Sequence, residues 1–106
     1  MRHPRAGKKV KLGPLELTAQ PISGAGFHKG DYYWKRWLIE HKQTTKASIS
    51  IKRKWWEKIM AEARMSGRLP MLWLTFDGPG FHWDLLCIDP RHLPRLMEDL
   101  NDAGDI

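Results

Sequence analysis

From residue 31 the chain sets bulky apolar side chains against polar ones at short intervals. Residues 31–34 and 37–43 are rich in aromatic and branched residues. Only Lys35-Arg36 separates them, which suits a hairpin between two antiparallel strands. Upstream, residues 15–22 read as a short strand or a single helical turn, and Ser23-Gly24-Ala25-Gly26 reads as a loop. The period changes at Ile51. Trp55, Trp56, Ile59, Met60 and Ala63 recur at helical spacing, Gly67 is placed to end that helix, and Ser50 could cap its start. Residues 70–76 are an apolar run of strand length, Asp77-Gly78-Pro79-Gly80 carries turn chemistry, and residues 81–88 return as a second hairpin partner. Leu93, Leu96, Met97 and Leu100 mark one face of a last helix, with Pro94 as its first residue. The order strand, strand, helix, strand, strand, helix predicts an α/β or α+β domain.

Length and composition add bounds to this reading. The chain has 106 residues, 42% hydrophobic and 28% charged, which suits one folded domain with a modest core. No stretch approaches the about 18 apolar residues of a membrane span. Met1-Arg2-His3-Pro4 is followed by charge rather than by an apolar leader, so an intracellular location, the cytoplasm of a host cell, is expected. The single cysteine, Cys87, excludes an internal disulfide framework and a multi-cysteine zinc site.

Charge changes the picture more. Residues 1–54 hold thirteen Lys and Arg against three acids, Glu16, Asp31 and Glu40, whereas residues 55–106 hold five against nine. Such a positive block suits a polyanion, most often nucleic acid, because each neutralised phosphate releases condensed counterions. Arg2, Arg5, Lys8, Lys9 and Lys11, set among glycines and prolines without apolar periodicity, make residues 1–14 a flexible basic arm ahead of a single domain over 15–106. Acids isolated in a basic half repel phosphate unless a cation lies between, which makes them candidate metal ligands.

The central constellation is Asp31 followed by Glu40-His41-Lys42. Alternation puts Glu40 and Lys42 on one strand face, and a hairpin would bring Asp31 alongside. Two carboxylates and an ammonium suit phosphodiester hydrolysis, with the acids holding Mg²⁺ and the lysine serving the attacking water. The competing reading is a surface ion pair between Glu40 and Lys42, worth about 0–1 kcal/mol.

The residues around this trio extend the pattern: Ser23-Gly24-Ala25-Gly26, then Lys29-Gly30-Asp31, then Leu38-Ile39-Glu40-His41-Lys42-Gln43-Thr44, then Ser48-Ile49-Ser50-Ile51 before a helix. Over residues 16–76 this resembles the small phage and archaeal nucleases of the PD-(D/E)XK superfamily, nearest the archaeal-type and phage-encoded Holliday junction resolvases. The resemblance implies a restriction-endonuclease-like fold, a mixed central sheet flanked by helices. It implies a Mg²⁺-dependent endonuclease, Mn²⁺ being a possible substitute, in which Asp31 and Glu40 bind metal, Lys42 assists the water and Ser23 lies at the edge of the site. It also implies branched duplex DNA as substrate and a homodimer, since symmetric incision of a four-way junction needs two sites. A nicking or degradative nuclease of the same superfamily, or an inactive basic DNA-binding module, would carry much of the same pattern.

The chain departs from the family in two places. The family supplies another acid from an N-terminal helix; Glu16 is the one acid before Asp31, and Pro14 and Pro21 argue against a helix around it. His41 stands where the family has a small or apolar residue, and alternation points it to the opposite face, toward packing. Lys8, Lys9, Lys11, Lys29, Lys35, Arg36, Lys46, Lys52, Arg53 and Lys54 supply the candidate DNA surface, positioning a backbone without reading bases. Most tryptophans read as core, with Trp34 and Trp37 the candidates for stacking on bases. Asp77, Asp84 and the later acids read as solvated. Gly24–Gly30 has one residue too many for a dinucleotide fingerprint and no P-loop is present, so no nucleotide cofactor is expected.

Overall fold

The computed structural model describes residues 5–21 and 30–104, with side chains through 102. A six-stranded sheet runs in the order β1-β2-β3-β4-β5-β6. The strands are β1 (Lys9–Leu12), β2 (Leu15–Ala19), β3 (Tyr32–Trp34), β4 (Trp37–Thr44), β5 (Leu69–Gly78) and β6 (Phe81–Cys87). Helix α1 (Arg53–Met65) follows β4, and a 3-10 turn (Pro90–His92) leads into helix α2 (Leu93–Gly104). Neighbouring strands are antiparallel except β4 and β5, which are parallel because α1 carries the chain back between them. This is an α+β fold built on a mixed sheet. Among the described residues no helix is long and apolar enough to cross a membrane.

The basic arm is shorter than expected. Gly13 takes φ +57 and Leu12 pairs with Leu15, so Gly13-Pro14 is a hairpin turn and residues 9–12 join the sheet. Glycine supplied the positive φ, and the alternation of Val10 and Leu12 with two lysines was too short to register as a strand. The Lys35-Arg36 hairpin forms between Trp34 and Trp37 as expected, with Lys35 itself at φ +49.

Helix α1 ends where Gly67 was expected to end it. At φ +69, Gly67 donates its N–H to the carbonyl of Arg64, and Arg68 donates to Ala63 at 2.7 Å, the two closing bonds of a Schellman motif. Ser50 does not cap the other end: the capping position is Lys52, two residues later, and no side chain bonds there.

Alternation divides the core between the two sheet faces. Ile59 and Ala63 of α1 pack on Leu38 and Leu72, with Tyr33 and Trp56 at the margin. On the other face Leu15, Leu17, Tyr32, Trp37, Ile39 and Met71 form the larger cluster, against which Leu96 and Leu100 of α2 pack. Trp34 and Trp37 belong to this second cluster and are 7% and 0% exposed, so neither can stack on a base. The exposed tryptophan is Trp83, at 66%.

Candidate active site

Strand β3 stops at Tyr32, one residue short of Asp31, and Gly30 is the reason. A Cβ on Gly30 would lie 2.5 Å from Cγ of Leu38 and 3.2 Å from Cδ1 of Ile59, so the backbone presses against the α1-side core where only glycine fits. The chain thereby leaves the β3–β4 ladder. Oδ2 of Asp31 accepts the backbone N–H of His41 at 2.7 Å, taking the place of a ladder carbonyl. That N–H belongs to the peptide immediately after Glu40, so Asp31, just outside β3, bonds β4 beside the other acid that the sequence pairs with it.

Glu40 projects from β4 toward α1, with its side chain 11% exposed. Its Oε2 lies 3.3 Å from Nζ of Lys42, and its Oε1 lies 3.8 Å from Nζ of Lys58 on α1. Lys58 also pairs with Glu62 at 3.3 Å, and Lys42 stands 4.8 Å above the ring of Trp55. The Glu40–Lys42 pair is therefore not an ordinary surface pair, since one partner is almost wholly withdrawn from water. Oε1 of Glu40 is shielded from solvent and has no hydrogen-bond partner. Two nearby ammoniums offset part of the loss of hydration. Lys58, Glu62 and Trp55 were not assigned to the site from sequence. Their helical spacing was visible, but nothing in it says which strand the helix covers.

The other assigned residues divide into three groups. Glu16 is exposed on β2 opposite Lys11, and the residue beside Asp31 is Gln20, just past the end of β2, whose N–H donates to the Asp31 carbonyl at 2.9 Å. Four strand residues, roughly 13 Å, separate Glu16 from that point, so it does not join the cluster. Among the described residues no three His, Cys, Asp or Glu side chains converge as a metal group. Ser23 and Lys29 lie outside the described residues.

Lys35 and Arg36 are used internally. Nζ of Lys35 donates to the carbonyl of Asp99, and Arg36 holds the carboxylates of Glu98 and Asp99 on α2. Lys8, Lys9, Lys11, Lys46, Lys52, Arg53 and Lys54 are exposed. Lys9 pairs with Thr18 and bonds its hydroxyl at 2.7 Å, and Thr18 stands opposite Tyr33 of the α1-side cluster. Directly opposed residues share a sheet face, so Lys9 and Lys11 flank the face that carries Glu40 and Lys42.

The opposite face at the same end holds a polar network that the sequence reading left as solvated acids. The His41 ring stacks on Trp73 at 3.6 Å, and its Nε2 lies 2.8 Å from Oγ1 of Thr75. Thr75 and the Trp73 indole both donate to Oδ1 of Asp84 at 2.8 Å. Thr75 has one proton to give, so His41 carries its own proton on Nε2. Burial works to raise the Asp84 carboxyl, but hydrogen bonds from Trp73, Thr75 and His82 outweigh it and hold the group below the ordinary carboxylate range. Asp84 is thus a structural acceptor, because the inward register of β6 brings it over two donors of β5.

His82 completes the network, with Nδ1 3.2 Å from Asp77 and Nε2 2.9 Å from Asp84. Hydrogen bonding to Asp77 first, then to Asp84, raises its pKa above the ordinary 6.5. A group whose pKa rises on folding stabilises the fold fully below its unfolded value and loses that contribution as pH rises through the folded one. The thermal midpoint is therefore expected to fall as pH rises from below 6.5 into the alkaline range, and His82→Gln should flatten that slope. An unchanged slope in the variant would remove His82 from the pH dependence.

No family model, no curated protein and no solved structure matches this chain.

Proposed function

We propose that this protein is a Mg²⁺-dependent endodeoxyribonuclease of the PD-(D/E)XK type, acting on branched duplex DNA such as a four-way junction. The observation that carries the reading is the placement of Asp31 at the peptide following Glu40, with Lys42 3.3 Å from the Glu40 carboxylate. The mixed sheet with helices on both faces is in keeping with the restriction-endonuclease-like core that the motif resemblance implies.

The donor set suits the ion. Mg²⁺ takes oxygen ligands and commonly relies on one or two carboxylates plus substrate phosphate oxygens. Asp31 and Glu40 supply two carboxylates, and Oε1 of Glu40 lacks a hydrogen-bond donor. A Mg²⁺ held by these two carboxylates would polarise the phosphodiester and acidify water near it. Lys42, steadied by Glu40 and the Trp55 ring, would hydrogen-bond the attacking water or a phosphate oxygen. Lys58 lies 3.8 Å from Oε1 of the buried Glu40. Lys9, Lys11, Lys52, Arg53 and Lys54 provide exposed cations for the flanking backbone. Paired incision requires two such sites, so the acting form on this reading is a C2 homodimer working inside the cell.

The test is cleavage of a labelled four-way junction and its matching linear duplex by the full chain, with and without Mg²⁺. Metal-dependent paired nicks confined to the junction support a resolvase. Cutting of linear duplex at the same rate would replace that reading with a degradative nuclease, and metal-independent binding without cuts would replace it with a DNA-binding module.

A further inference from the structure

A cleft of about 370 Å³ opens where the last turn of α1, the start of β5 and the turn ahead of α2 meet. None of Asp31, Glu40 and Lys42 lines it. Its wall carries four guanidiniums, Arg64, Arg68, Arg91 and Arg95, together with His92, against the single carboxylate of Asp89. Asp89 is already committed: Arg91 binds it at 2.7 Å, and that hydrogen bonding holds its carboxyl down at about 2. Among the described residues the other three guanidiniums have no ion pair, and that of Arg68 lies 4.4 Å over the ring of Tyr33. Nη1 of Arg68 and Nδ1 of His92 are shielded from solvent with no hydrogen-bond partner. Clustered cations repel one another, and buried polar groups left unpaired point to a missing ligand or water. Guanidiniums pair bidentately with phosphate, and a pocket on this scale takes more than the bare ion. Trp56 and Met60 supply an apolar wall.

We propose that this cleft binds the phosphate of a nucleotide, with the attached sugar or base against Trp56 and Met60. The nucleotide is either free or the phosphorylated end of a DNA strand. The site is independent of the nuclease reading, because its binding can be measured without cleavage. Calorimetric titration of the full chain with a deoxynucleoside 5′-monophosphate, the matching deoxynucleoside, inorganic phosphate, and a short strand with and without a 5′-phosphate separates the sources. Saturable binding of the monophosphate, at least roughly tenfold tighter than the nucleoside, is expected, and Arg95→Glu or Arg64→Glu should weaken it by roughly tenfold or more. Binding of only the phosphorylated strand assigns the site to DNA ends. Equal binding by both glutamate variants, or no phosphate-dependent binding by any probe, overturns the proposal.

The two edges of the sheet are finished differently. β1 is four residues long and bears Lys9 and Lys11, a common protection against edge pairing. β6 is seven residues long, has no lysine or proline, and leaves Phe81, Trp83, Leu85 and Leu86 exposed. About Trp83 the strand is complementary to its own reverse: apolar Phe81 and Leu85 lie two residues to either side, and His82 and Asp84, which already bond each other within the chain, lie one residue to either side. An antiparallel copy centred there sets Phe81 against the partner's Leu85 on one face and His82 against the partner's Asp84 on the other, each contact made twice.

We infer that β6 pairs with β6 of a second copy, joining two sheets across a two-fold axis at Trp83. Sedimentation equilibrium of the full chain should give a dimer, and Trp83→Lys, at an exposed position, should give a folded monomer. In a Cys87→Ser background, Trp83→Cys should cross-link to its own copy on mild oxidation, whereas His82→Cys should not. A wild-type monomer at high micromolar concentration overturns the inference, as does a Trp83→Lys dimer. Both readouts are independent of cleavage, so a dimer without nuclease activity leaves this surface standing.

Discussion

Glu40→Gln is expected to lower single-turnover cleavage of a four-way junction by at least about a thousandfold, ~4 kcal/mol of transition-state stabilisation, without weakening metal-free binding of the same junction. The carboxylate is one of two that could hold the ion, and an amide of the same shape removes the charge while preserving the volume. In the absence of metal that charge opposes phosphate, so the variant should bind DNA as tightly as the wild type or more so. Asp31→Asn makes the companion test. Its amide oxygen can still accept the His41 N–H, so the end of β3 should hold while cleavage falls comparably. Circular dichroism and a urea midpoint near wild type would show that lost activity is not lost folding. If both variants cut at the wild-type rate, the chemistry lies elsewhere.

The largest effect on stability is expected from Asp99→Ala, a loss of about 3 kcal/mol read from chemical denaturation. Asp99 is 7% exposed on α2. Its Oδ2 accepts the indole N–H of fully buried Trp37 at 2.8 Å and Nε of Arg36 at 2.9 Å. The alanine variant strands the indole donor in the core and removes one of the two acids through which Arg36 ties the β3–β4 turn to α2. Asp99→Asn keeps an oxygen that both donors can reach but removes the charge, and should lose roughly half as much. A small loss in both variants would mean that the packing of Leu96 and Leu100, with the Arg36–Glu98 pair and the Lys35 bond to the backbone, is enough to hold α2 on the sheet.

Sequence periodicity was a good guide wherever an element buries one side. The β3–β4 hairpin, α1, the β5–β6 hairpin and α2 all lie close to where alternation or helical spacing put them. It was a poor guide where an element is too short to repeat: Val10 and Leu12 are the inward residues of β1, and two positions do not distinguish a strand from an arm. Charge was misleading in a different way. Lys35 and Arg36 look like any other cations of the basic half, yet the acids they bind are more than sixty residues away on α2. Asp84 reads as a solvated acid in the sequence because its donors, Trp73 and Thr75, reach it only through the register of β5 and β6.

The candidate site shows the same division. Asp31, Glu40 and Lys42 could be singled out from the sequence because a hairpin and the two-residue strand period constrain them locally, and Gly30 could be noticed beside Asp31. Sequence alone left open how close they come, that Glu40 is almost withdrawn from water, and that Lys58 stands over it. It also left Glu16 as a possible third acid, which strand register then put at the far end of β2. Local pattern determines which residues belong to an element and which way each points, because those follow from backbone geometry over a few bonds. Which elements lie against one another is decided by burial and hydrogen bonding between segments far apart in the chain. That long-range choice placed α1 over Glu40, locked Arg36 to Asp99, gathered four arginines around one cleft and left β6 as an open edge.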